Sequence, residues 1–213
     1  MLLLAILVTP FCAAAEPDWA DAFRRYVGSP AHLNEVGRSV QQLEQRLAPE
    51  CVQILKGLDR VELRIIQPPL FLPGLPIPQA GQWREQVRID RCGDSVLHNV
   101  LVTAVNRGSP NLTMLLPGTS KADGRLQYDA RNPVFVIAAA QAGQDCRAAA
   151  RRIVDTRFVR WLGRSEEMPL ADRLWREVWT VRVCDRTIRV QLDFAPDGKG
   201  GYTFQADLPQ SRP

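Results

Sequence analysis

Lysine, histidine and long apolar segments are scarce in this sequence. Lys56, Lys121 and Lys199 are the only lysines, so arginine carries nearly all of the basic charge behind a formal net charge of +4. No block of consecutive basic residues is present, and such a block is the usual electrostatic signature of a nucleic-acid-binding protein. We therefore expect no nucleic-acid partner, and the arginine-rich composition is typical of a solvated surface.

The longest apolar run lies at the very beginning, MLLLAILVTPFCAAA, and is too short to span a bilayer. Ala13 and Ala15 occupy the −3 and −1 positions that signal peptidase prefers, ahead of Glu16. Residues 1–15 are thus predicted to be a signal peptide that is cleaved after Ala15. No other run is long enough to span, so we expect a periplasmic or secreted protein with no membrane span after cleavage.

Several catalytic and cofactor motifs are missing. The chain contains no G-x-S-x-G, no H-E-x-x-H and no G-x-G-x-x-G, and none of its cysteines forms a C-x-x-C pair. The predicted mature chain has only two histidines, His32 and His98, and an oxidised cysteine cannot act as a nucleophile beside either of them. We therefore predict no catalytic residue, no metal site and no cofactor.

Four cysteines remain after the predicted cleavage: Cys51, Cys92, Cys146 and Cys184. An even number of cysteines in an exported chain indicates disulfide bonds, and four cysteines allow three pairings. Cys51 and Cys92 are 41 positions apart, and Cys146 and Cys184 are 38 apart. These similar separations favour one bond in each half of the chain, Cys51–Cys92 and Cys146–Cys184.

A ten-residue segment occurs twice, as WREQVRIDRC at 83–92 and WREVWTVRVC at 175–184. The features around the two copies follow the same order, which predicts two tandem repeats. The predicted organisation is a signal peptide (1–15), an N-terminal helical segment (16–50), repeat 1 (51–118), a connecting segment (119–145), repeat 2 (146–209) and a frayed C-terminus (210–213).

The second copy has the clearest local pattern. Trp175, Glu177, Trp179, Val181 and Val183 occupy alternate positions, which is typical of a strand with one buried face. The next run alternates in the same way after a short turn that begins at the cysteine. Residues 31–48 have apolar side chains at helical spacing: Leu33, Val36, Val40, Leu43 and Leu47. We predict an α+β fold in which each repeat is a helix followed by a small antiparallel β-meander with one disulfide.

The second copy resembles a motif of small exported proteobacterial proteins of unknown function. Their pattern is Trp-x-Glu-x-Trp-x-Val-x-x-Cys-Gly, followed by an alternating strand and Gly-Gly-Thr-x-Phe. The matching residues here are Trp175, Glu177, Trp179, Val181, Cys184, Gly200, Gly201, Thr203 and Phe204. Asp185 replaces the glycine and Tyr202 is inserted, while the first copy lacks the Gly-Gly pair. The resemblance implies export and a scaffold but no activity.

Two parts of the sequence are candidate binding regions. The first comprises the repeated Trp-Arg-Glu triplets, Trp83, Arg84 and Glu85 and Trp175, Arg176 and Glu177. The two glutamates are compatible with a paired acid/base system of the kind that glycosidases use. The favoured interpretation is a strand glutamate bonded to a cross-strand arginine, with the tryptophan packed above.

The second candidate is the proline-rich loop 67–82, which contains Phe71 and Leu72. This loop is either a stiffened partner-binding tip or a lid folded onto the sheet.

These observations predict an exported, non-catalytic binding or accessory protein of the bacterial cell envelope. Its expected partner is another envelope or secreted protein, and the sequence leaves the oligomeric state open. One alternative is an enzyme that acts on envelope glycans through Glu85 and Glu177. Another alternative is a structural subunit of an exported assembly.

Overall fold

The computed structural model describes residues 19–51, 59–143, 151–169 and 172–207. Within them the α-helices are α1 (Ala20–Val27), α2 (Pro30–Leu47) and α3 (Gly124–Ala142), and short 3₁₀ turns lie at Pro49–Cys51 and Ser165–Glu167. The first four strands are β1 (Asp59–Leu70), β2 (Ala80–Arg91), β3 (Asp94–Thr103) and β4 (Asn111–Met114). The last four are β5 (Arg151–Trp161), β6 (Trp175–Val183), β7 (Arg186–Pro196) and β8 (Tyr202–Asp207).

The strands form two four-stranded antiparallel sheets, β1-β2-β3-β4 and β5-β6-β7-β8. In each sheet the strand order follows the chain, and a long helix precedes each sheet, α2 the first and α3 the second. The predicted α+β class is confirmed. The predicted Cys51–Cys92 disulfide is also confirmed, with Cα atoms 5.3 Å apart. Cys184 is disulfide-bonded as well, and its predicted partner Cys146 lies outside the described residues.

The central hairpin of each sheet turns at a cysteine. Two residues, Cys92 and Gly93, connect β2 to β3, and Cys184 opens the connection between β6 and β7. Both cysteines have φ of 52°, in the left-handed region, and Gly93 has φ of 90°. Positive φ in a two-residue loop matches the right-handed twist of the flanking strands, so these turns close tight hairpins.

Each sheet has its own hydrophobic core on the face that carries the Trp-Arg-Glu tryptophan and glutamate. Trp83 belongs to the first core, with α1 and α2 packed over it. Trp175 belongs to the second core, which α3 covers with Ala130, Val134 and Ala138. The two triplets therefore lie in two separate cores.

The helix predicted over 31–48 is present as α2, and three of its five predicted apolar positions, Val36, Val40 and Leu47, are buried. Leu33 and Leu43 are half-buried, whereas the neighbouring His32 and Glu44 are buried. This difference has a physical cause, because both polar side chains find charged partners on the first sheet. Helix α1 contributes Phe23 and other buried residues to the first core.

The segment after β4, residues 115–120, connects the two sheets by main-chain hydrogen bonds, and we call it the junction segment. Gly118 N donates to Leu97 O in β3 (2.7 Å), and Thr119 N donates to Thr156 O in β5 (2.6 Å). A Cβ atom on Gly118 would lie 2.0 Å from the Thr156 carbonyl oxygen. Only glycine fits this close approach of two backbones.

Strand β1 extends to Leu70 through two prolines, so the connecting loop covers 71–79 rather than 67–82. The region predicted as a connecting segment, 119–145, contains α3, whose N-cap Asp123 accepts a hydrogen bond from Leu126 N (2.8 Å). No helix in the described parts of the chain is both long and apolar enough to cross a membrane. The predicted signal peptide, residues 1–15, lies outside the described residues.

Candidate functional site

Glu85 is fully buried at the centre of an ionic cluster in the first half. Its Oε1 lies 2.5 Å from His32 Nε2 and accepts a hydrogen bond from Trp83 Nε1 (2.9 Å). Its Oε2 accepts a hydrogen bond from Arg60 Nε in the neighbouring strand (2.7 Å). His32 Nδ1 in turn lies 3.1 Å from the Tyr26 hydroxyl. The cluster thus joins α1, α2, β1 and β2 around one carboxylate.

Glu177 occupies the matching place in the second half but has different partners. Its Oε1 accepts hydrogen bonds from Trp175 Nε1 (2.8 Å) and from the Lys121 main-chain N–H (2.7 Å). Its Oε2 accepts one from Trp179 Nε1 (2.8 Å). No lysine or arginine side chain in the described residues forms an ion pair with Glu177. Two indoles and one backbone amide therefore replace the histidine and arginine that surround Glu85.

Neither glutamate is placed for acid/base chemistry on a bound substrate. Both are fully buried, with 0% of their surface exposed. Burial alone raises the pKa of Glu85, but the bond to His32 and the charges of His32 and Arg60 outweigh it and hold the pKa below its usual value. A carboxyl group of this kind is a poor proton donor at neutral pH.

The arginines of the two triplets have different environments. Arg84 is held by neutral acceptors, since its Nε and Nη2 donate to Asn99 Oδ1 (3.1 and 2.8 Å) and its Nη1 to Ser120 O (3.4 Å). Arg176 instead forms a two-pronged ion pair with Asp193, both contacts being 2.6 Å. Arg84 therefore has no direct ion pair, although Glu62 and Glu177 attract it from a greater distance, whereas Arg176 is directly paired.

The proline-rich loop has one buried and one exposed apolar residue among the two predicted for binding. Phe71 packs on the first core, with its ring centre 6.4 Å from that of Tyr26. Leu72 is 44% exposed. It belongs to a run of exposed apolar side chains along β1 and the loop, which we call the β1 apolar patch: Ile66, Leu70, Leu72 and Leu75.

A cleft of about 580 Å³ lies between the two halves, and we call it the inter-sheet cleft. The described residues lining it include four cationic side chains and one carboxylate: Arg64, Arg84, Lys121, Arg173 and Asp123. Three aromatic side chains form its other wall: Trp161, Trp175 and Tyr202. Arg84 and Trp175 are thus the two predicted binding residues that the fold brings to one cavity. Among the predicted triplet residues, no others line it.

The remaining cleft residues were not predicted from the sequence. Arg64, Lys121, Trp161 and Arg173 come from β1, the region after the junction segment, β5 and the approach to β6. No local motif connects them. The scarcity of lysine draws attention to Lys121 only together with Lys56 and Lys199.

The described residues contain no group of three or more histidine, cysteine, aspartate or glutamate side chains placed to hold a metal ion. Comparison with protein-family models, curated proteins and solved structures finds no match to the chain. The resemblance to small exported proteobacterial proteins therefore stays a prediction.

Proposed function

We propose that this chain is an exported, non-catalytic binding or accessory protein of the bacterial cell envelope, and that it contacts another envelope or secreted protein through the β1 apolar patch. The observation that carries the proposal is the exposure of large apolar side chains on an edge strand. Leu70 is 53% exposed, and Ile66 is 50% exposed. Contiguous apolar surface of this kind marks interaction sites in soluble proteins.

Contact through side chains suits this strand better than simple extension of the sheet. The pairing of β1 with β2 contains three register irregularities, and the last of them, between Gln67 and Leu70, contains Pro68 and Pro69. Bulges and prolines blunt the free edge of a strand against another strand. A partner is thus expected to cover the leucine and isoleucine side chains of the patch.

Export is supported by the disulfide chemistry. The Cys51–Cys92 bond closes a long loop, and Cys184 is also bonded. Such bonds persist in the periplasm and outside the cell, where thiols are not kept reduced. The sequence of residues 1–15 supports the same location, because it has the composition of a signal peptide.

We further propose that the two halves arose by duplication. The shared strand order supports this origin, as do the cysteines with φ of 52° at both hairpins. The strongest support is chemical, since in both halves a buried tryptophan indole donates to the glutamate two residues later. The glycan-acting alternative gains no support, because both of its carboxylates are buried.

The experiment is site-specific photo-crosslinking in the producing bacterium. A photoreactive amino acid replaces Leu70 or Leu72 in the patch, and in matched controls it replaces Tyr128 or Val136, which are exposed apolar residues on α3. We expect one discrete adduct from the patch positions and none from α3. Osmotic-shock fractionation of the same cells is expected to release the protein with the periplasm.

Each outcome bears on one proposal. An adduct at twice the chain mass would instead favour a structural subunit that contacts its own copies. Equal labelling at all four positions, or none, would overturn the β1 apolar patch as the partner surface. Retention of the protein in the cytoplasm with free thiols would overturn export.

A further inference from the structure

We propose that the inter-sheet cleft binds a small organic anion, with the anionic group held by Arg64, Arg84 and Lys121 and an apolar or ring body against Trp161 and Trp175. The cleft borders the β1 apolar patch, because Ile66 lines the cleft as well, but this proposal does not depend on the partner proposed above. Its volume of about 580 Å³ is in the range of small-molecule sites, which commonly lie between packed units of a protein.

Two arginine side chains of the cleft come from directly paired positions on neighbouring strands. Arg64 on β1 lies directly opposite Arg84 on β2 in the strand register. Like charges in this position repel each other across a sheet. In the described part of the chain, neither guanidinium forms a direct ion pair with a carboxylate, although Glu62 and Glu177 attract Arg84 from a greater distance. A bound anion would remove the repulsion and accept hydrogen bonds from both side chains.

The charged side chains that line the cleft are mostly cationic. Four cationic side chains line the cleft, against one carboxylate, that of Asp123. Asp123 is already engaged as the N-cap of α3, where it accepts a hydrogen bond from Leu126 N (2.8 Å). The cleft is therefore a strongly positive pocket, and such pockets concentrate anions from solution.

Aromatic rings and a carbonyl group, rather than carboxylates, contact two of these cations, Lys121 and Arg173. The guanidinium of Arg173 lies 5.0 Å from the centre of the Trp161 ring, and its Nε donates to Met168 O (2.9 Å). The Lys121 ammonium lies 5.4 Å from the centre of the Phe158 ring. Ring faces and carbonyl groups orient these side chains and leave most of their N–H donors available.

Aromatic side chains form an apolar surface in the cleft. Trp161 and Trp175 meet edge to face at 6.3 Å, and Tyr202 packs edge to face on Trp175 at 4.9 Å. A ring surface beside fixed cations suits a ligand with an apolar body and a charged end, rather than an inorganic ion. The ligand class is therefore an organic carboxylate, phosphate or sulfonate with a ring or an apolar chain.

The test uses a matched pair of fluorescent probes on the purified, oxidised full-length chain. 8-Anilinonaphthalene-1-sulfonate has the required anion and rings, and N-phenyl-1-naphthylamine is the same ring system without the sulfonate. We expect the sulfonate to bind at least about tenfold more tightly than the neutral probe, since charge-assisted hydrogen bonds contribute on that scale. We also expect added salt to weaken only the sulfonate.

Variants place the binding in the cleft. Arg64→Gln and Lys121→Met change exposed side chains and are expected to weaken sulfonate binding about tenfold each. The matched control Arg189→Gln changes an exposed cation outside the cleft and should leave sulfonate binding unchanged. Unaltered thermal unfolding of each variant ensures that the comparison concerns binding.

The proposal fails if the two probes bind equally, or if the cleft variants bind the sulfonate as well as the native chain does. Leu70→Asp, which disrupts the β1 apolar patch, is expected to leave sulfonate binding intact. If Leu70→Asp abolishes it instead, the probe has bound the patch and the cleft assignment is overturned. The partner proposal is then still tested separately by the crosslinking.

Discussion

The two halves of the molecule bury an equivalent glutamate in different ways. In the first half, helix α2 inserts His32 and Glu44 into the interface with the sheet, and Glu85 is bonded to a histidine and an arginine. In the second half, α3 packs small apolar residues on the sheet, and Glu177 is bonded only to neutral donors. One interface is thus ionic and the other apolar, although both contain the same Trp-x-Glu unit.

The comparison shows which hydrogen bond of the Trp-x-Glu unit the two halves share. The indole-to-carboxylate bond is common to both, while the remaining partners vary. An ionic cluster drawn from four elements loses much when its central carboxylate is removed, because the remaining polar groups stay buried without their partner. A carboxylate that accepts only neutral hydrogen bonds loses less.

The largest effect is expected from replacing each glutamate by glutamine. Glu85→Gln should lower the free energy of unfolding by about 3 to 5 kcal/mol, because it leaves Arg60 and His32 beside a neutral amide. Glu177→Gln should lower it by about 1 to 3 kcal/mol, because the amide N–H₂ then faces the indole of Trp179, which is also a donor. Urea unfolding of both variants measures the two values. Equal losses would contradict the ionic and neutral distinction.

The second largest effect is expected from acid, which should destabilise the ionic interface between α2 and the first sheet. Burial alone raises the pKa of Glu44, but bonds from Arg91 and His98 lower it to about 2, against a usual value of 4.5. Since the folded pKa is the lower one, the stabilisation is present above pH 4.5 and is lost as the pH falls towards 2. The side chain is largely buried, so the contribution is about 3 kcal/mol.

This pH dependence is measured by urea unfolding between pH 7 and pH 2.5. Glu44→Gln is expected to be less stable than the native chain at pH 7 and to lose less stability on acidification. Hydrogen exchange at low pH should show earlier opening of β2 and β3 than of β6 and β7. If the acid limb of Glu44→Gln matches that of the native chain, the assignment to Glu44 is wrong.

The smallest effect is expected at the two triplet arginines. Arg84→Gln removes three hydrogen bonds to buried neutral acceptors and should reduce stability by about 1.5 to 3 kcal/mol. Arg176→Gln breaks a half-exposed ion pair with Asp193 and should reduce it by about 0.2 to 1 kcal/mol. Thermal unfolding of the pair gives the order, and a larger loss for Arg176→Gln would reverse the comparison.

The sequence predicted the features that depend on local pattern. Alternation over 175–183 predicted β6 and its buried face, which is buried at every second position from Trp175 to Val183. The cysteine separations predicted the Cys51–Cys92 bond. The buried face of α2 was predicted at Val36, Val40 and Leu47 but not at its two other positions. Leu33 and Leu43 follow helical spacing, whereas His32 and Glu44 are buried through partners on distant strands.

The inter-sheet cleft could not be predicted for a related reason. Arg64 and Arg84 come together only through the register of β1 on β2, and Arg173 reaches them only through the packing of the two halves. Neither the strand register nor the packing of the two halves can be predicted from a short segment of the sequence. The same holds for Gly118, whose requirement for glycine comes from Thr156 in another sheet.

The junction segment has a consequence for how this chain can evolve. One of its bonds between the halves, from Thr119 N to Thr156 O, joins main-chain groups, which every residue except proline provides in full. Two others use threonine side chains, since Thr156 Oγ1 donates to Pro117 O (2.6 Å) and Phe158 N donates to Thr119 Oγ1 (3.0 Å). Sequence change elsewhere in either half therefore leaves these bonds intact, provided that position 118 stays glycine and positions 119 and 156 stay threonine. The halves are free to specialise, one as an ionic core and the other as an apolar core, while remaining held in a single geometry around the cavity that they share.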